Sequence, residues 1–320
     1  MKPPFNITPK ILNLTAQISS LTGLLKGAKL KMPLIDLRRQ VDVSSIHSSC
    51  VIEGNTLTLE QATDVIDGKR VVGDKNDILE IKNANQLYAG INSFNPLNEK
   101  DLLRAHGLLM KDLVISAGKY RQTGVGVMSG GKVIHSAPPF SKVPELMGDL
   151  FDFIIKAEDL HPLITSSIFH YEFEFIHPFE DGNGRMGRFW QTLILRHADT
   201  AFSLVPIETA IKEHQQEYYE AIRVSSLEGN SIKFVEFMLK VILQAVSGIE
   251  KLVSGKAKPI DRITYMLKHC PQEFTRKEYI QLIGDIKPLT ASRDLKEAVD
   301  RGLLKMKGAQ ARAVYKKVKK

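Results

Sequence analysis

The sequence predicts a mainly α protein: a helical bundle broken by one β-hairpin and followed by a small α+β domain. Three observations predict it. Apolar residues recur at helical spacing through most of the chain. One stretch, Val125 to His135, instead carries short β-prone pieces on either side of a Ser-Gly-Gly turn, the pattern of a hairpin. Positive charge gathers at the end: from Lys258 onward 16 Lys and Arg stand against 7 Asp and Glu, while the preceding residues carry 28 against 29, within a net +8 for the 320 residues. The shift coincides with Val253-Ser254-Gly255-Lys256-Ala257-Lys258-Pro259, where small residues, Lys and Pro mark a linker. Three regions follow: an N-terminal helical region over 1–100, a core over 101–253, and a basic domain over 254–320.

In chain order, Leu12, Leu14, Ile18, Leu21, Leu24 and Leu25 mark a first helix. Ser49-Cys50-Val51-Ile52-Glu53-Gly54-Asn55 reads as a helix end, with Ser49 and Glu53 four apart on one face and Gly54 suited to the position after a helix. Taken alone it is a terminus with an exposed carboxylate. Ile78, Ile81, Ala84 and Leu87 give a further helix. Beyond the hairpin, Ile164 to Ile176 should be helical, with His170 as a buried hydrogen-bonding residue. Arg185 through Phe189, Trp190, Leu193, Ile194 and Leu195 reads as a buried helix, Ala210 to Val224 as a helix bearing the adjacent Tyr218 and Tyr219, and Phe234, Phe237, Met238, Val241 and Ile242 as another.

At 43% hydrophobic, the chain can bury a sizeable core. No apolar run approaches the roughly 18 residues of a membrane helix, so no membrane partner is expected. The first residues lack the continuous apolar core of a secretory signal. Cys50 and Cys270 lie far apart and outside any CxxC or Cys/His cluster. Neither a disulfide framework nor a structural metal is expected, and a cytoplasmic location is.

The chemistry concentrates in His177-Pro178-Phe179-Glu180-Asp181-Gly182-Asn183-Gly184-Arg185-Met186-Gly187-Arg188. Gly182 and Gly184 let the backbone turn tightly against a ligand, with Asn183 between them tolerating turn geometry. The helix that follows places unbonded N–H groups at its N-terminus, a ready site for phosphate. His177 can take a proton near neutral pH, as a general base must. Asp181 is a hard oxygen ligand of the kind that shares Mg²⁺ with substrate phosphates. Arg185 and Arg188, three apart, can clamp two successive phosphates. Each has a bland counterpart: a lone His before Pro usually caps a turn, and a lone GxG is weak evidence. Together within twelve residues they point to chemistry at a nucleotide.

These residues resemble the Fic family, whose signature HPFx[DE]GNGRxxR is met at every fixed position. The resemblance implies transfer of AMP from ATP to a Ser, Thr or Tyr hydroxyl of a protein, the chain itself included, with release of pyrophosphate. It makes His177 the base, Asp181 the Mg²⁺ ligand, and the amides around Gly182, Asn183 and Gly184 the hole for the α and β phosphates. Arg185 would then hold the β phosphate and Arg188 the γ phosphate. The related Doc kinases carry Lys where this chain has Gly184, which argues for nucleotidyl transfer. Ser49 and Glu53 match the family's inhibitory pattern [ST]xxxE[GN]. That match implies a Glu53–Arg188 pair in the γ-phosphate place, on an N-terminal inhibitory helix. The hairpin resembles the flap that docks the target chain along its edge, with Val127 and Met128 as the register-setting pair. Tyr218 or Tyr219 is implied beside the adenine, and Ser226 stands where relatives often place an Asn near the ribose. Homodimers are common among such relatives.

In the tail, Arg262, Ile263, Met266 and Leu267 suggest one helix, and Thr275 opens a second through Ile280 and Leu282. Thr290 should cap a third, running from Ala291 to Arg301 and ended by Gly302. Leu303 to Met306 and Arg312 to Val318 alternate like two strands. This resembles a winged helix, with Arg293, Lys296, Lys307, Arg312, Lys316 and Lys317 as candidate phosphate contacts and DNA as the implied partner. A basic module for protein contact or dimer packing fits equally well. The chain is thus expected to be a self-inhibited adenylyltransferase. Its rivals are an ATP-sensing DNA-binding regulator and a hydrolase that removes AMP from proteins.

Overall fold

A computed structural model of the chain describes residues 3–27, 34–124, 126–129, 132–253, 258–283, 286–308 and 313–318. Its first part is helical: α1 (Pro9–Gly27), α2 (Leu34–Ile52), α3 (Leu59–Ile66), α4 (Lys75–Ala89) and α5 (Glu99–Leu109). Local chemistry starts several of them. Thr58 and Gln61 form a reciprocal capping box before α3, and the Asp74 carboxylate accepts the Asn76 and Asp77 N–H groups at the start of α4.

The expected hairpin follows as β1 (Gly126–Ser129) and β2 (Lys132–Ser136), antiparallel, with Val127 opposite His135 and Met128 opposite Val133. The register shifts between Val127 and Met128, so the proposed register-setting pair sits at a bulge. Val125, Gly130 and Gly131 of that hairpin lie outside the described residues, as do Ser254 to Ala257 of the linker and Arg312.

The core then continues through α6 (Val143–Lys156), α7 (Pro162–Ile176), α8 (Asn183–Ala198), α9 (Ile207–Glu213), α10 (Gln215–Glu228) and α11 (Ile232–Val253). Helix α7 packs against α8 and α11, and α1 lies along α11. An aromatic cluster fills the centre: Phe169, Phe173, Phe189 and Trp190 are all fully buried. Each such side chain contributes about 1.5–3 kcal/mol relative to exposure. The Trp190 indole N–H also finds a partner, the Pro96 carbonyl at 3.1 Å. The single helix expected over Ala210 to Val224 is in fact two, because His214 (φ −116°, ψ 31°) breaks it between α9 and α10.

The basic end comprises α12 (Pro259–His269), β3 (Glu273–Thr275), α13 (Arg276–Ile283), α14 (Pro288–Asp300), β4 (Leu304–Lys307) and β5 (Val314–Lys317). The strands form an antiparallel sheet in the order β3-β5-β4. Sequence periodicity missed β3, because three residues are too few to show alternation. Thr290 does not cap α14: the helix begins earlier, at Pro288, whose fixed φ suits a first turn. A buried Asp294 ties the unit together, accepting hydrogen bonds from Arg262 Nε (2.6 Å) and Nη2 (2.8 Å) and from the Tyr279 hydroxyl (2.8 Å). Both cysteines are buried free thiols. Among the described residues, no helix is long and apolar enough to cross a membrane.

Candidate active site

Helix α7 delivers His177 by ending at it. His177 adopts the left-handed conformation (φ 50°, ψ 62°), its N–H still bonded to the Phe173 carbonyl at 2.9 Å, and Pro178 then prevents continuation. A positive φ at a non-glycine residue needs support from its surroundings. Arg121, buried on the loop between α5 and the hairpin, supplies it. Its Nε donates to the His177 carbonyl (2.7 Å), Nη2 to the carbonyls of Pro138 (2.6 Å) and Ile176 (3.3 Å), and Nη1 to that of Thr123 (2.8 Å). One guanidinium therefore joins the His177 turn to both approaches of the hairpin. Sequence reasoning missed Arg121, since a solitary Arg in Lys119-Tyr120-Arg121-Gln122 has no local signature.

The loop after His177 is closed by its own residues. Asn183 Oδ1 accepts the Phe179 N–H and its Nδ2 donates to the Phe179 carbonyl, both at 2.9 Å. The Phe179 ring stacks on His106 with centroids 3.6 Å apart. His106 Nδ1 accepts the Gly118 N–H (2.8 Å), so its Nε2 carries the proton and donates to the Asp181 carbonyl (3.0 Å). Burial lowers the His106 pKa to about 4, keeping the ring neutral in that role. Gly182 caps α8 at φ 83°, and a Cβ there would lie 2.6 Å from Met110 Sδ.

Helix α8 makes its first main-chain bond from Met186 to Gly182, so the N–H groups of Asn183, Gly184 and Arg185 precede any intrahelical bond. A carboxylate stands at this positive end. Glu53 Oε1 is 2.6 Å from Arg188 Nη2 and lies so close over Gly184 that a Cβ there would overlap it. Arg188 also donates from Nε to the Ser49 hydroxyl and from Nη2 to the Ser49 carbonyl, each at 3.0 Å. Burial alone would lower the Arg188 pKa, but the Glu53 carboxylate, together with Tyr218 and Glu174, raises it on balance. The structure thus brings together Ser49, Glu53, Gly184 and Arg188, which are up to 139 residues apart in sequence. Buried Nη1 of Arg188 and Nε of Arg185 have no hydrogen-bond partner among the described residues.

Arg185 is neutralised elsewhere, by Glu80 on α4 (2.7 Å) and by Asp181 (3.3 Å). Glu80 too was invisible to sequence reasoning. Asp181 is more than half exposed, with one carboxylate oxygen accepting the Gly182 N–H at 2.6 Å. No group of three His, Cys, Asp or Glu residues able to hold a metal occurs among the described residues, so Asp181 is a single donor. Glu174, on α7, lies 4.0 Å from His177 Nδ1 and 3.8 Å from His170 Nε2. Its burial pushes its pKa to about 8, against the opposing pull of Arg188 and with a smaller push from Glu53.

Tyr218, expected beside the adenine, is buried. It is 1% exposed, and its hydroxyl bonds to His170 Nε2 at 3.0 Å. His170, whose Nδ1 contacts Gln191 Oε1 at 2.6 Å, is the buried hydrogen-bonding residue expected. Adjacent helical aromatics point in different directions, and it is Tyr219, half-buried, that reaches the turn after α2, donating to the Ile52 carbonyl at 3.3 Å. Ser226 lies 3.5 Å from the Tyr171 hydroxyl.

Residues 96–195 match the model of the Fic/DOC family. The protein adenylyltransferase Fic of Culex quinquefasciatus is 30% identical over 213 residues, covering 62% of this chain and 40% of its own length. The protein adenylyltransferase fic-1 of Caenorhabditis briggsae is 28% identical over 225 residues, covering 66% and 42%. The chain therefore spans about two fifths of the length of these curated relatives. A Fic family protein from Desulfovibrio desulfuricans G20 superposes with a TM-score of 0.74 at 38% identity, over 100% of this chain and 99% of that one. A Fic domain containing signaling protein from Bacteroides thetaiotaomicron shares the fold, with a TM-score of 0.62 at 22% identity. With the signature loop leading into the N-terminus of α8 and end-to-end likeness to a solved member, the chain belongs to the Fic/DOC family.

Proposed function

We propose that this protein is an adenylyltransferase that moves AMP from ATP to a hydroxyl side chain of a protein and is held off by its own Glu53. One observation carries the reading: a carboxylate from outside the catalytic loop occupies the positive end of α8 and pairs with a buried arginine. That environment suits a phosphate at least as well as a carboxylate. The curated relatives are named protein adenylyltransferases, which supports the reaction class.

In the reaction, His177 accepts the proton of the target hydroxyl as its oxygen attacks the α-phosphorus. The bond to the bridging oxygen breaks and pyrophosphate leaves, its charge met by Arg185 and Arg188. The N–H groups of Asn183, Gly184 and Arg185 stabilise charge on the phosphoryl oxygens as it develops. Asp181 would hold Mg²⁺, which would neutralise phosphate charge when bound. A single exposed carboxylate fits a cation carried mainly on phosphates and water. The target strand adds to the edge of the β1–β2 hairpin, which Arg121 fixes relative to His177. With Glu53 in place, the γ-phosphate position beside Arg188 is closed.

Labelled ATP tests this directly. Glu53→Gly should raise label transfer to protein strongly, and His177→Ala in the same background should remove it; equal or lower transfer by Glu53→Gly refutes the inhibitory role. The C-terminal unit reads as a winged helix. Lys316 is paired with Glu273 and Lys317 with the Cys270 carbonyl, leaving exposed Arg293, Lys296 and Lys307 as its candidate phosphate contacts. No duplex-DNA affinity at about 50 mM salt would remove that partner.

A further inference from the structure

Arg185 keeps its positive charge under all conditions, so its burial demands a counter-charge. Two carboxylates meet it from different elements: Glu80 on α4, at 2.7 Å from Nη1, and Asp181 on the catalytic loop, at 3.3 Å from Nη2. Glu80 is itself held from behind. Its Oε2 accepts Asn55 Nδ2 at 2.9 Å, and the same amide donates to the Asp77 carbonyl at 3.0 Å. Asn55 is buried, and its Oδ1 accepts the Leu57 N–H at 3.1 Å. Thr56 continues the tie through its N–H, 2.9 Å from the Asp77 carboxylate. An arginine is thus oriented by a carboxylate that is oriented in turn by an amide, the layered support that fixes functional side chains.

We propose that Glu80 is a positioning residue for nucleotide binding, fixing the plane of the Arg185 guanidinium so that its remaining N–H groups meet the β phosphate. The inference rests on the reading of Arg185 as a phosphate ligand. Glu80 meets Arg185 as a close ion pair at Nη1, outside hydrogen-bond geometry, and leaves both Nη1 and Nε, each buried, with no hydrogen-bond partner among the described residues. A phosphate that reaches Nε need not displace the carboxylate. Without Glu80 the guanidinium has Asp181 alone, one helical turn away, and closes on it. That movement draws the donors off the β phosphate and leaves the α phosphate untouched.

The difference between AMP, ADP and ATP isolates this effect. Calorimetric titrations with Mg²⁺ would compare the Glu53→Gly protein with the Glu53→Gly/Glu80→Gln protein. The second change should weaken ADP and ATP about tenfold, the loss of one well-placed charge-assisted hydrogen bond, while leaving AMP unchanged. Equal weakening of all three nucleotides, the mark of a merely structural role, overturns the proposal, as does ADP binding that is unchanged or tighter. Absence of ATP binding by the Glu53→Gly protein alone overturns the reading of the site together with this inference. Should Glu80→Gln not fold, Asn55→Ala keeps the carboxylate and removes its support, and the same selective loss, smaller in size, is expected; an unselective loss or none overturns the proposal.

Discussion

Gly184 shows how one missing methyl group sets the state of the site. A Cβ at this position would overlap Glu53 Oε1 and approach Arg188 Nη1 to 3.1 Å. Gly184→Ala should therefore destabilise the unaltered protein by about 1–3 kcal/mol, the range for forced overpacking. In a Glu53→Gly background the cost should shrink, since the main obstacle is gone. Denaturation midpoints of the four proteins in this cycle measure the coupling, and strictly additive effects would contradict the contact. Glu53 and Ser49 were readable from sequence because residues four apart on a helix share a face, and the Arg188 pair followed from family resemblance. Glu80, Glu174 and Arg121 were not readable, because their roles arise only when separate elements meet. Which of Tyr218 and Tyr219 faces inward was not readable either, because adjacency along a helix does not tell it.

The turn after α2 is the element on which the proposed inhibition depends. Asn55 N–H bonds to the Cys50 carbonyl (3.1 Å) and Gly54 N–H to that of Val51 (3.0 Å), the paired ending that requires a left-handed residue at Gly54, here φ 100°. This ending places Glu53 at the helix terminus and sends Asn55 toward α4. No atom lies within 4 Å of a Cβ built at Gly54, so a substitution there meets only backbone strain. Gly54→Ala should cost about 1–2 kcal/mol and loosen the Glu53–Arg188 pair. A lowered melting temperature with raised label transfer is the expected result, and a lowered melting temperature with no gain in transfer would separate the turn from inhibition. Element boundaries followed the sequence where chemistry marks them, as at Gly54 after α2. They departed from it at His214, which carries no breaker signal, and at Pro288, which starts α14 three residues ahead of the expected Ala291.

Across the whole molecule, buried titratable groups oppose one another. Burial lowers the pKa of His47 and His106 to about 4 and that of His170 to about 3 from an ordinary 6.5. The unfolded chain therefore binds more protons below pH 6.5, and stability falls as pH drops from there toward the folded values. Burial raises Glu174 to about 8 and Glu172 to about 7 from an ordinary 4.5. Here the folded chain holds the extra protons, so stability falls as pH rises from 4.5 through these values. Between pH 6.5 and 8 the glutamates act alone, and the melting temperature should decline. Glu174→Gln should flatten that decline; an unchanged slope would show that Glu174 does not titrate in the folded protein. The predominance of helix and the β1–β2 hairpin were legible from periodicity, whereas the packing of α1 along α11 was not.

Trp190 is the only tryptophan in the sequence. It lies two residues beyond Arg188 on α8, fully buried and ringed by Phe151, Phe169 and Phe189. Its fluorescence therefore comes from one known place, midway along the helix whose N-terminus receives the signature loop. Emission in the folded state should be blue-shifted, and any shift on adding nucleotide will report occupancy without a dye, making the molecule its own optical gauge.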